Sequence, residues 1–305
     1  KHAEMPDYGF SPDAIFPIIN GEKGNVSATF NFQAGAEAAG VNRLVSFEAG
    51  LRENMVPQDA TAVVESANLA ELVVDFESFL LEHQLGGQVQ LQGNQATFSL
   101  IGKAAHGSTP SKGVNAATFL SKYLHRFEFD RAGAESFLHL LADHLHQDFE
   151  GVNLGVAHRD PVMQELTMNV GLVNYRDDKG GNIVANFRYP KGTDPEKMAA
   201  QTAQRLAGHD LSVEWGEFKE PHYVSVDDPM VKELLAVYEE QTGLEGHEMT
   251  IGGGTYGRLM PRGVAYGALF PDSIDTMHQA NEFIAIDDLL KATAIYAEAI
   301  YRITR

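Results

Sequence analysis

The sequence predicts an α/β protein of two units, and three observations carry that expectation. Apolar residues switch between partial alternation, as from Val26 to Phe32, and helical spacing, as in Leu69, Leu72, Val73, Phe76, Phe79 and Leu80. The turn-rich run Asn20-Gly21-Glu22-Lys23-Gly24 punctuates the chain after a short apolar stretch. A length of 305 residues, with 44% hydrophobic and 21% charged residues, suits an ordinary globular protein with room for two domains.

The elements follow in order. Phe10-Ser11-Pro12-Asp13-Ala14 reads as a turn, and the residues from Phe16 to Ile19 as a short apolar strand. Asn42 to Glu48 reads as a strand and Ala67 to His83 as one helix. Gly93-Asn94 between Gln88–Gln92 and Ala96–Ile101 is a hairpin signal. Helices are expected near Val114–Phe127 and Ala132–His146. Leu166–Asn174 and Gly181–Tyr189 read as paired strands. Asp194 caps a helix with Pro195 at its first position, Gly208 closes it, and Leu211–Trp215 is a strand. Both halves of residues 23–219 show the order strand, strand, helix, strand, so two related lobes are one reading of that region. Pro229–Gln241 is an amphipathic helix, Val264–Phe270 an apolar strand, and Asp287 or Asp288 starts a terminal helix. With two helices and few strands, residues 220–305 need residues 1–22 or further chain to cover their sheet.

Composition excludes several function classes. A formal charge of −19 repels phosphate backbones and anionic lipid heads, which disfavours nucleic acid and membrane partners. The absence of cysteine rules out disulfides, thiolate metal sites and a cysteine nucleophile, and fits a cytoplasmic protein. No signal-peptide pattern opens the chain. It does not begin with Met, which reads as a processed or truncated product.

Five segments could carry chemistry. Asp13 after Pro12 is a turn former or a metal ligand. His106 follows a strand among small residues, either as a surface histidine or as a donor to a developing oxyanion. Arg188 ends a strand and is either salt-bridged or a bidentate clamp for a carboxylate. Gly252-Gly253-Gly254-Thr255 is a tight turn whose backbone can approach an anion, without the ending of a phosphate-binding loop. His278 precedes the last helix, as a buried core histidine or a ligand. His139, His144 and His146 share one predicted helix and read as a solvated face. Neither the helical zinc-protease motif nor a Gly-x-Ser-x-Gly elbow is found.

Taken in order, six segments resemble the dinuclear-zinc peptidases related to carboxypeptidase G and acetylornithine deacetylase, and within them the bacterial dipeptidases. They are Gly9–Gly24, Ala49–Pro57, Gly102–Pro110, Asn186–Lys191, Ile251–Arg258 and Met277–Phe283. The resemblance implies an incomplete α/β catalytic domain, in pieces 1–22 and 220–305, with a large inserted α+β lid over residues 23–219. It implies two zinc ions in the complete enzyme, with Asp13 and His278 as a terminal ligand of one each. His106 would stabilise the oxyanion, Asn54 and Arg188 would contact substrate, and the Gly253-Gly254-Thr255 backbone would line the same end of the site. The family's His-x-Asp motif, bridging Asp and Glu-Glu pair are expected before the segment at Gly9, and the eight residues there contain none of them. The implied function is a zinc-dependent dipeptidase acting on small unblocked dipeptides, with the 305-residue chain inactive alone and monomeric. An N-acyl amino acid amidohydrolase and a non-catalytic binding module of the same descent are the alternatives.

Overall fold

Alternation in Gly24–Phe32 places Val26, Ala28, Phe30 and Phe32 on one face, and all four are buried. The same logic assembles an eight-stranded sheet in the computed structural model, which describes residues 6–277 and 281–305. Its order is Ser212–Trp215, Gly24–Phe32, Gly180–Tyr189, Thr167–Arg176, Asn42–Ala49, Asp59–Ser66, Gln95–Ile101 and Gly86–Gln92. Thr167–Arg176 and Gly180–Tyr189 form an antiparallel hairpin, and the halves of the sheet join where Val173 lies opposite Ala49.

The chain divides into two compact units. The larger comprises residues 25–159 and 165–219, and the smaller comprises residues 1–24, 160–164 and 220–305. In the larger unit the helix Ala116–Leu124 starts where the Asn115 side chain accepts the backbone N–H groups of Ala117 and Thr118. Its Tyr123 packs edge-on against Phe76, whose ring meets Phe98 of the sheet. The helix expected over residues 67–83 is instead two short ones, Leu69–Val73 and Phe76–Glu82. Leu72 and Phe76, on either side of the break at Asp75, are both buried. The helix expected over residues 132–146 is α-helical only to His139, and Leu140–Leu145 continues it as a π-helix. Asp194 caps Pro195–Arg205 by accepting the Lys197 N–H at 3.1 Å.

The smaller unit holds a mixed sheet in which Tyr8–Ser11 runs parallel to Arg262–Ala265, and Met249–Ile251 parallel to Ile19–Glu22. The strand expected over residues 264–270 is split into Arg262–Ala265 and Ala268–Leu269 by Gly267, whose φ of 75° turns the chain. Pro229–Thr242 and Ile286–Ile303 cover a core containing Phe16, Tyr238, Tyr266 and Ile295. Among the described residues no helix is long and apolar enough to cross a membrane.

Candidate functional site

In the smaller unit, Ala14–Ile15 pairs in parallel with Ala268–Leu269, and the Ala14 N–H donates to Gly267 O at 2.7 Å. That pairing holds Asp13, which is exposed, in the wall of a cavity of about 370 Å³. Asp272, Ser273, Met277, Glu282 and Asp288 also line it. Ser273 donates to Asp288 Oδ2 at 2.7 Å. Thr276 Oγ1 donates to Phe283 O and accepts from Phe283 N, both at 3.1 Å. His278 lies outside the described residues; Met277 and Glu282, on either side of it in sequence, line the cavity that contains Asp13.

The glycine loop is organised around a residue that sequence reasoning passed over. Glu22 is 1% exposed, and its Oε1 accepts both the Thr255 N–H at 3.1 Å and the Thr255 hydroxyl at 2.6 Å. Arg258 Nη1 stands 3.6 Å from Glu22 Oε2, an ion pair too long to be a hydrogen bond. A Cβ on Gly254 would come within 2.9 Å of that guanidinium, so a larger residue there would displace the Arg258 side chain. The Thr255 N–H is therefore committed to Glu22, and Gly252, Gly253 and Gly254 are the loop's remaining positions from which backbone could approach an anion. Glu22 ends the strand Ile19–Glu22 within the run that reads as a turn, so nothing in its local sequence marks it as buried.

In the larger unit, a polar network connects the three residues predicted there. His106 is exposed, and its Nδ1 accepts the Ser108 N–H at 3.2 Å, with Ser108 Oγ at 2.7 Å. Accepting at Nδ1 puts the neutral ring's proton on Nε2, the arrangement an oxyanion donor needs. The next residue, Gly107, donates to Asn54 O at 2.7 Å, which sets the His106 loop against the Asn54 loop. Buried Asn169 holds that second loop, donating to Glu53 O at 2.8 Å and Met55 O at 3.0 Å. Gly171, at the bulge of the same strand, lets the Glu53 backbone lie against it, where a Cβ would collide.

The network continues through side chains. Ser27 Oγ donates to Glu53 Oε2 at 2.8 Å, and Asn186 Nδ2 donates to Ser27 Oγ at 2.9 Å and Asn25 Oδ1 at 2.8 Å. Asn186 Oδ1 accepts Arg188 Nε at 2.9 Å. Asn169 lies directly opposite Asn186, so Asn169, Asn186 and Arg188 share one face of the hairpin. Arg188 is 9% exposed, which makes its orientation a property of the fold rather than of a mobile surface chain. Asn169 and Asn186 take the positions between the core-facing Met168 and Val170 and Ala185 and Phe187, so alternation alone reads them as outward-facing polar residues, and only the tertiary structure shows that they are buried. A second cavity, of about 230 Å³, is lined by Asn169, Asp148 and Phe149 and by none of the predicted site residues.

A zinc ion takes about four ligands from His and carboxylate side chains. Asp13 fits one such position, and among the described residues no group of three metal-capable side chains includes it. The groups of three that do occur, His139 with His144 and His209, and His125 with His139 and Asp143, belong to the larger unit.

Residues 3–302 match the sequence model of peptidase family M20/M25/M40. The chain is 44% identical over 306 residues to the Beta-Ala-Xaa dipeptidase of Lactobacillus delbrueckii subsp. lactis, covering 100% of this chain and 64% of the relative. It is 41% identical over 312 residues to YtjP of Bacillus subtilis, provisionally named a dipeptidase, again over 100% of this chain and 65% of the relative. The chain thus spans about two-thirds or slightly less of the curated relatives it matches. Among solved structures, aminoacylhistidine dipeptidase from Vibrio alginolyticus aligns with 97% of this chain and 63% of its own, at a TM-score of 0.47 and 14% identity, too distant to bear on the site.

Proposed function

Since the chain belongs to peptidase family M20/M25/M40, we propose that it forms the larger part of a zinc-dependent dipeptidase acting on small unblocked dipeptides. The observation that carries this reading is the network from Arg188 through Asn186, Ser27 and Glu53 to the loop of Asn54 and His106. It holds a carboxylate-binding cation and an Nε2–H donor on one rigid frame, as recognition of a peptide's C-terminus and its scissile carbonyl requires. Arg188 is assigned the substrate carboxylate, Asn54 a second substrate contact, and His106 the developing oxyanion. Gly253, Gly254 and Thr255 are assigned to the backbone lining.

Asp13 and His278 are assigned one ligand each of two zinc ions, the other ligands coming from outside the described residues. Bound zinc would supply the Lewis acid for the attacking water. Residues 1–22 and 220–305 are assigned to the catalytic domain and residues 23–219 to the lid, in a cytoplasmic monomer. The name of the Lactobacillus relative suggests a β-alanyl residue at the substrate's N-terminus.

The test is a chimera in which this chain replaces the 64% of the Lactobacillus relative that it matches. The chimera is expected to cleave a free β-alanyl dipeptide and to spare the N-acetylated form, while the 305-residue chain alone stays at background. His106→Ala in the chimera is expected to lower kcat by about 10²–10³, the loss typical of one oxyanion donor. A folded chimera with no activity, or one that prefers the acetylated form, would defeat the reading.

A further inference from the structure

Three imidazoles converge in the larger unit, where the helical segment ending at Leu145 meets the loop after Pro195–Arg205. The ring centroids of His139 and His209 are 5.0 Å apart, those of His144 and His209 5.3 Å, and those of His139 and His144 5.4 Å. One ring nitrogen from each lies within 4.8 Å of the other two. All three rings are half-buried. The expectation of a solvated face is corrected here for His139 and His144; His146 instead turns its Nδ1 to Thr118 Oγ1 at 3.1 Å.

The backbone explains the convergence. A five-residue step in an α-helix swings a side chain about 140° around the axis, which would part His139 from His144. The π-helix Leu140–Leu145 bonds i to i+5 and brings them to one side. Gly208, at φ 94°, then turns the chain after Pro195–Arg205 so that His209 meets both.

We propose that His139, His144 and His209 bind one divalent transition-metal ion, and that Asp143 positions His139 for it. Imidazole suits zinc, copper and nickel, and a trio that offers no oxygen ligand disfavours calcium and magnesium. His139 Nδ1 lies 3.0 Å from Asp143 Oδ2, which leaves Nε2 as the metal-facing atom, the arrangement in which a carboxylate orients a metal-binding histidine. Zinc–nitrogen bonds of about 2.0–2.1 Å require nitrogens roughly 3.3 Å apart, so the rings need to close by no more than about 1.5 Å through side-chain rotation. Burial, then the neighbouring imidazoles, hold His144 below the ordinary histidine range, and burial and His139 do the same for His209, so both favour the neutral form that ligates. Two cations oppose the site: Arg205 near His144, and Lys122, whose Nζ is 3.2 Å from Asp143 Oδ1. His125 also shares Asp143, with Nε2 3.1 Å from Oδ2. The ion would tie the loop at His209 to the helical segment, adding a cross-link to a region otherwise joined by packing.

The experiment is calorimetric titration of the 305-residue chain with Zn²⁺, beside His144→Gln, His209→Gln, Asp143→Asn and Asp13→Ala. Wild type and Asp13→Ala are expected to bind one equivalent that His144→Gln and His209→Gln both lose, with a matching loss of the zinc-induced rise in Tm. Asp143→Asn is expected to weaken binding by about 10–100-fold. His209 lies on a half-buried loop, so His209→Gln decides the matter if His144→Gln fails to fold. No zinc uptake by wild type, uptake unchanged in the glutamine variants, or uptake lost only in Asp13→Ala would each overturn the proposal.

Discussion

The larger unit closes its sheet under helices, so that Phe30, Phe47, Phe98, Phe137 and Tyr175 are completely enclosed in one core. The smaller unit packs Phe16, Tyr238 and Tyr266 equally well, yet its terminal helix Ile286–Ile303 buries only Ala292, Ile295 and Ala299. Ile286, Leu290, Ile300 and Tyr301 of that helix are each more than half exposed, at 76%, 63%, 53% and 51%. Apolar exposure concentrated on one element marks a surface with more area to bury. The larger unit also exposes apolar side chains, Leu51 and Leu81 among them, but they are scattered over loops and short elements, and the difference teaches that the smaller unit gathers its exposed apolar area on one helix.

The largest effect expected from breaking this comparison is in the larger core. Phe137 contacts Phe32, Phe47 and Tyr175 with ring centroids 5.5, 5.6 and 5.1 Å away. Phe137→Ala is expected to cost about 3–5 kcal/mol, read by urea denaturation through the fluorescence of Trp215, the sole tryptophan. A loss below about 1 kcal/mol would mean that this core is no tighter than the other.

An intermediate effect is a pH dependence peculiar to the larger unit. Burial, with smaller contributions from Lys122 and His83, holds His146 down to about 4 from an ordinary 6.5. The unfolded chain then binds the extra proton first, so stability is full above about pH 6.5 and declines as the pH falls towards about 4. His146→Leu is expected to flatten that decline in denaturation curves taken across the window. An unchanged slope would place the titrating group elsewhere.

The smallest energetic effect is expected on the exposed helix. Leu289 and Leu290 are 50% and 63% exposed, and the double change to Lys is expected to alter unfolding free energy by no more than about 0.5 kcal/mol. It should nevertheless reduce dye binding to apolar surface and light scattering at high concentration. A large loss of stability would show that these leucines pack more closely than their exposure implies.

Much of the fold was legible because its signals are local. Asp194-Pro195 announced a capped helix, and Pro195–Arg205 begins there. Gly93-Asn94 announced a hairpin, and Gly86–Gln92 pairs antiparallel with Gln95–Ile101 across it. The splits at Asp75 and Gly267 were not legible, since apolar spacing continues through both and only packing decides the direction of the chain. The candidate site was legible as separate segments. The support of Asn54 by Asn169, and of Arg188 by Asn186, depends on strand register that no short window contains.

By itself the sequence determined most of the helices and strands, the turn at Gly93-Asn94, the cap at Asp194 and the chemical identity of Asp13, His106, Arg188 and His278, because each depends on neighbours a few residues away. The tertiary structure decided which polar groups meet. It carries Ser27 to Asn186, 159 residues apart in sequence, and His209 to His139 and His144. The physical reason is that such contacts form only when a buried sheet sets the register and a π-turn or a left-handed glycine redirects the backbone, both of which are settled by packing over the whole unit.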